Sequence, residues 1–153
     1  MLSLEETLTY KNQRIVDKFR LYFDVDEAEA GDLFGELIRW LWLCAKLRHD
    51  RLNDVKNLPS QLNVQSGLVL VDEFWHVFLI HTLEYNDFCL KHFGFFVHHS
   101  PSHSGFKPPT QEQTETQLFY INEHLGVAAV LKWYDDYAKR YDVNSIRSIR
   151  KIF

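Results

Sequence analysis

The sequence predicts an all-α fold, a single compact domain of about five helices. Three observations carry that expectation. Apolar residues recur at helical spacing along most of the chain, and two capping-box patterns open apolar runs. The one strand-like run, LVLV at 68–71, has no partner run elsewhere. The length of 153 residues suits one domain. At 18.2 kDa, area scaling buries about 69% of the surface on folding, enough for a core without metal or disulfide staples.

Ser3-Leu4-Glu5-Glu6 has the S-x-x-E capping form, and Leu4, Leu8, Ile15, Phe19 and Tyr22 follow on one predicted amphipathic helix. Asp26 is placed to cap a second helix, with Glu27 and Glu29 at the positive end of its dipole. Leu37 to Ala45 reads LIRWLWLCA, apolar nearly all round, so this helix is expected at the centre. Lys46, Arg48 and His49 close it with cations. Residues 51–67 are polar and form a connection with room for one short helical turn. A third helix is expected from Asp72 to about Phe93. A long loop follows, in which Gly94, Pro101, Gly105 and Pro108-Pro109 oppose a helix. Thr110-x-x-Gln113 caps a fourth helix that stops at Gly126. A fifth is expected to face inward through Val127, Val130, Leu131, Tyr134, Ala138 and Tyr141. The domain is drawn over residues 1–142, with 143–153 as a basic, frayed tail.

Apolar residues make up 46% and aromatics 15%, which excludes a disordered chain. The net charge of −4 disfavours a general nucleic-acid binder. Charged residues at the N-terminus leave no signal-peptide pattern, and the apolar run 37–45 is too short to span a membrane. The expected location is cytoplasmic or otherwise intracellular. Cys44 and Cys89 lie in apolar helical patterns without CxxC spacing, so they read as buried thiols.

Eight histidines are present, four of them between His92 and His103. Asp72 and His76 are four apart, hence neighbours on one helical face, where a carboxylate can hold one imidazole nitrogen and leave the other available. His81 lies about 140° round a regular helix from His76, so those two are not expected to share an ion. His81, Tyr85, Phe88 and His92, with Cys89 at the edge, read as a core stripe. His98-His99 follow Gly94 closely enough for the chain to fold back over the third helix. The expected constellation is therefore Asp72, His76 and one of His98 or His99, with Tyr85 near it. Three N/O ligands with an open position fit a zinc-type site. His103 and His124 sit in polar contexts and read as solvated. The stretch 139–151 reads as a solvated basic face, Phe95-Phe96 as docking on the third helix, and Ile152-Phe153 as an apolar pair.

Val71-Asp72-Glu73-Phe74-Trp75-His76, then Tyr85-x-x-Phe88-Cys89, then Gly94 and His98-His99-Ser100-Pro101, resemble the glycine-rich domain-containing protein-like family. The likeness is to its bacterial members, without the glycine-rich segment; Thr116, Gly126 and Trp133 match more loosely. The resemblance implies that Asp72, Trp75, His76, Tyr85, Cys89 and His99 act as a set, and it implies no particular reaction. Phe78 stands where many eukaryotic members carry a second His, so a ligand scheme using that position does not transfer. Two functions follow from the residues. The first is a small helical module that binds another protein and uses Asp72, His76 and His99 as a fold-fixing network. The second is a metal-binding module or metal-assisted hydrolase with the same three residues around a divalent ion such as zinc.

Overall fold

The structure, a computed structural model, describes residues 1–100 and 107–151, and only the backbone of Ser66. Among these residues every extended element is a helix, as predicted. Expectations that fall on Pro101, His103, Gly105, Ile152 and Phe153 lie outside the described residues.

Three of the predicted helices are interrupted. The first divides into α1 (Leu4–Leu8) and α2 (Gln13–Tyr22). The predicted capping box is present in α1, Ser3 to Glu6. The Thr9 hydroxyl then donates to the Glu6 carbonyl, and Asn12 accepts from the Ile15 amide to start α2 afresh. The central helix α3 (Glu27–Leu52) starts at the expected Asp26 cap. A single 3-10 turn (Ser66–Leu68) leads into α4 (Val69–Ile80).

The predicted third helix breaks at His81, where α4 gives way to α5 (Thr82–Phe93). No Pro or Gly marks the break. His81 Nδ1 takes the Val77 carbonyl at 2.8 Å, and the His81 amide bonds Phe78 instead, one residue nearer than in an α-helix. The regular-helix angle between His76 and His81 therefore does not apply. Gly94, in the left-handed region at φ 83°, ends α5.

After the Thr110 capping box come α6 (Gln111–Leu125) and α7 (Val127–Leu131). Lys132–Asp136 is a π-helical turn, continued by α8 (Tyr137–Arg140). The inward face predicted here is right only in part: Tyr141 is buried, and Val130 and Tyr134 pack against the core. Val127 and Leu131 are exposed, while Ala129, Trp133, Tyr137 and Tyr141 are buried. The wide turn moves the buried stripe off the regular helical period. Two carboxylates of α3, buried Glu36 and exposed Asp32, hold that stripe. Glu36 accepts from Trp133 Nε1 (2.8 Å) and Lys132 (3.1 Å), and Asp32 accepts from the Tyr137 hydroxyl (2.6 Å).

Residues expected to fray instead form α9 (Val143–Ile149), capped by Asp142. Phe23 and Arg150 then pair as an isolated antiparallel bridge, with Asp24 N–H on Ile149 O (2.7 Å) and Lys151 N–H on Tyr22 O (2.8 Å). The basic charges of this stretch are largely engaged, Lys139 with Asp135, Arg140 with Asp136 and Arg150 with Glu73. The core is one cluster of buried residues running from Ile15 to Ile146. Phe19 stacks on Phe74 at 4.0 Å, and Trp40 meets Trp133 edge-on at 5.8 Å.

His124 is not solvated. It is one-fifth exposed, with Tyr120 at 4.4 Å and Trp42 at 6.4 Å between ring centres. Beside it, buried Asp50 accepts from Lys46 and from the Tyr120 hydroxyl. Burial would raise the Asp50 carboxyl, but those two hydrogen bonds outweigh it and hold it below the ordinary 3.8. Burial, then the Lys46 charge, pushes His124 below the ordinary 6.5. The unfolded chain therefore takes up the histidine proton first, and stability begins to fall as pH drops through 6.5. The Asp50 contribution is complete above 3.8 and is lost as pH falls from there through its folded value. Urea midpoints between pH 8 and pH 3 are expected to decline in both windows, and His124→Gln to flatten the upper one.

Candidate functional site

Asp72 sits on the first turn of α4, and His76 lies one turn further along the same face. His76 Nε2 is 3.5 Å from Asp72 Oδ2. His99 returns from beyond α5 to place its Nε2 2.8 Å from Asp72 Oδ1. One ligand atom from each of the three residues lies within 4.8 Å of the others. The sequence left the choice between His98 and His99 open. The structure brings His99 to the cluster, whereas His98 is exposed and meets the Phe96 ring at 4.8 Å.

A series of ordinary interactions aims His99. Past Gly94, Phe95 packs under the Arg48 guanidinium at 4.0 Å, and Phe96 meets the Tyr85 ring edge-on at 5.1 Å. Buried Tyr85 is no member of the ligand set, yet it fixes the segment. Its hydroxyl accepts from Trp75 Nε1 (3.0 Å) and donates to the Val97 carbonyl (2.6 Å). The His99 ring then sits 4.4 Å from Trp75 and 4.7 Å from His76, centre to centre.

Behind His76 stands a second carboxylate. Glu73 Oε2 is 3.9 Å from His76 Nδ1, and Glu73 Oε1 accepts from Arg150 at 2.8 Å. At 3.9 Å this is an ion-pair contact and not the hydrogen bond by which a carboxylate orients a metal-binding histidine. Sequence reasoning missed both residues. Glu73, three residues before His76, had a helical-spacing signal; Arg150, 77 positions away, had none.

Exposure grades across the cluster. Side chains of His99 and Asp72 are 14% and 20% exposed, while His76 is 49% exposed. The group is therefore neither sealed under the aromatics nor freely solvated; it opens to solvent at His76. The two thiols stand apart. Burial and then the Asp72 charge push Cys44 up to about 12, and burial raises Cys89, which lies beside Tyr85. Neither is a thiolate at neutral pH. His92 is buried with Nδ1 on the Phe88 carbonyl, as expected of a core stripe.

A family model described as UCP032817-like matches residues 12–124, about three quarters of the chain. The chain belongs to the UCP032817-like family. That match spans Asp72, His76, Tyr85 and His99, and ends before α7. It carries no link to a glycine-rich domain family. No curated protein and no solved structure matches the chain. No helix among the described residues is long and apolar enough to cross a membrane.

Proposed function

We propose that the chain is a divalent-metal-binding module, with Asp72, His76 and His99 as the protein ligands. The observation that carries this reading is their convergence within 4.8 Å, with Asp72 and His99 part-buried and His76 half-exposed. Zinc–ligand distances of about 2.0–2.1 Å put neighbouring tetrahedral ligand atoms roughly 3.3 Å apart. The 2.8 Å and 3.5 Å separations run to the two different oxygens of Asp72, and the three ligand atoms as a set lie within 4.8 Å, wider than that value. The half-exposed His76 ring has the freedom to close the remainder. Two imidazoles and one carboxylate leave a position for water, which a bound zinc-type ion acidifies towards hydrolytic use. Glu73 stands behind His76 at ion-pair distance, held by Arg150.

The resemblance to the glycine-rich domain-containing protein-like family agrees with this reading at the level of residues. Of the six residues that the resemblance sets together, Asp72, Trp75, His76, Tyr85 and His99 bind or aim the proposed ion, while Cys89 stands apart as a buried thiol. The other reading is a protein-interaction module whose polar cluster only pins the 94–100 segment. The part-buried 2.8 Å Asp72–His99 pair favours it.

The two readings differ over His76. As a ligand at the open edge, it contributes little to the metal-free fold, because Asp72 keeps its bond to His99. His76→Ala is expected to cost under about 1 kcal/mol without metal. Zinc at a hundredfold excess over its dissociation constant is expected to stabilise the natural chain by about 2.7 kcal/mol. His76→Ala should abolish that gain. Thermal unfolding with zinc, manganese and nickel, on protein purified without an affinity tag, reads both effects. No thermal shift with any of the three, together with a large metal-free loss in His76→Ala, would establish the network reading instead.

A further inference from the structure

His76 also borders a cleft of about 260 Å³. Tyr22 and Phe23, at the end of α2, form one wall, and Val77 and Ile80 of α4 form the other. Phe23 and Val77 are buried, whereas Ile80 is 60% exposed, so the walls are apolar at depth and open at the mouth. At about 30 Å³ per water-sized group, the space holds roughly nine non-hydrogen atoms.

Arg150 and Lys151 complete the rim. Their backbone is fixed by the bridge to residues 22–24. The Arg150 guanidinium lies 5.0 Å over the Phe23 ring and gives Nη2 to Glu73. A guanidinium carries five N–H donors in a planar fork, so the Glu73 bond engages only part of it. The Lys151 ammonium bonds the Arg20 carbonyl at 2.7 Å, a neutral acceptor that leaves its charge uncancelled. Two cations against the Glu73 carboxylate leave the cleft with one positive charge.

We propose that this cleft binds a small organic monocarboxylate. Its anion sits on Arg150 and Lys151, and its apolar body lies along the apolar floor against the exposed Ile80 side chain. In the metal-free cleft, one net positive charge matches a singly charged carboxylate better than a doubly charged phosphate ester. The planar fork of Arg150 suits a carboxylate, and the apolar walls select an organic acid over an inorganic ion. The proposal stands apart from the metal reading, because the carboxylate meets Arg150 and Lys151 and needs no contact with an ion at His76. A groove between residues 58–61 and the start of α6 shares none of these residues.

Phenylacetate, with ten non-hydrogen atoms, is the probe, titrated calorimetrically into zinc-loaded and zinc-free protein. Saturable binding is expected, at least tenfold weaker in Lys151→Gln and in Arg150→Gln, and at least tenfold weaker for the uncharged 2-phenylethanol. Phenyl phosphate should bind no more tightly than phenylacetate. Zinc uptake without phenylacetate binding, or equal affinity in both variants, overturns the carboxylate cleft and leaves the metal reading standing. Lys151-dependent phenylacetate binding to a chain that takes up no zinc overturns the metal reading while supporting the cleft.

Discussion

Gly67→Ala is expected to destabilise the protein by at least about 3 kcal/mol. Gly67 lies in the 3-10 turn before α4, against the π-helical turn. A Cβ there would fall on the Trp133 carbonyl oxygen, with Trp133 C at 2.8 Å and Ala138 N at 3.1 Å. These are backbone atoms, so no rotamer change relieves the clash. Nor can Trp133 recede, because its indole is buried against Trp40 and tied to Glu36. For a chain of this length the melting temperature should drop by roughly 6–12 °C. Gly31→Ala and Gly35→Ala are the controls. Both lie within α3 with nothing inside 4 Å of the added methyl, so each should add about 0.5–1 kcal/mol through helix propensity. Urea unfolding of the three variants checks the contrast. A Gly67→Ala loss under 1 kcal/mol would show that the two turns do not meet so closely.

Tyr85→Phe removes one oxygen and is expected to cost about 2–4 kcal/mol. The ring remains, so packing is preserved. The loss arises because the buried Trp75 N–H and Val97 carbonyl both lose their partner, at about 1–3 kcal/mol each. The same change releases the segment that aims His99 at Asp72. Zinc affinity is therefore expected to fall by about 10- to 100-fold, the range for groups that orient ligands without touching the ion. Urea unfolding reads the first effect and a zinc titration the second. Lost stability with unchanged zinc affinity would mean that His99 holds its place without the Tyr85–Val97 bond.

The parts of this fold that were legible in the sequence are those decided locally. Ser3, Asp26 and Thr110 cap the helices they were expected to cap, because a hydroxyl or carboxylate reaches amides only two or three residues away. The Asp72–His76 face followed from helical spacing in the same way. The interruptions were not legible. At His81 a side chain displaces its own backbone from the Val77 carbonyl, with no Gly or Pro to announce it. At Lys132–Asp136 the chain widens by one residue while Trp133 and Tyr137 reach Glu36 and Asp32, about a hundred positions earlier. A period read from sequence cannot register that insertion, so the predicted stripe kept Val130, Tyr134 and Tyr141 but took in exposed Val127 and Leu131 and missed Trp133 and Tyr137. Arg150 illustrates the same limit at the site. Its place beside Glu73 depends on the 22–24 bridge, a contact with no local pattern. His99 over His98 was likewise decided by the Tyr85–Val97 hydrogen bond.

The zinc K-edge X-ray absorption spectrum of the zinc-loaded protein tests the Asp72/His76/His99 assignment most directly. Two imidazole nitrogens and the remaining oxygen ligands are expected at about 2.0–2.2 Å, with no sulfur, at one ion per chain. His99→Ala should remove one imidazole from the spectrum. A sulfur shell at about 2.3 Å, pointing to Cys44 or Cys89, or a chain that takes up no stoichiometric zinc, would contradict it.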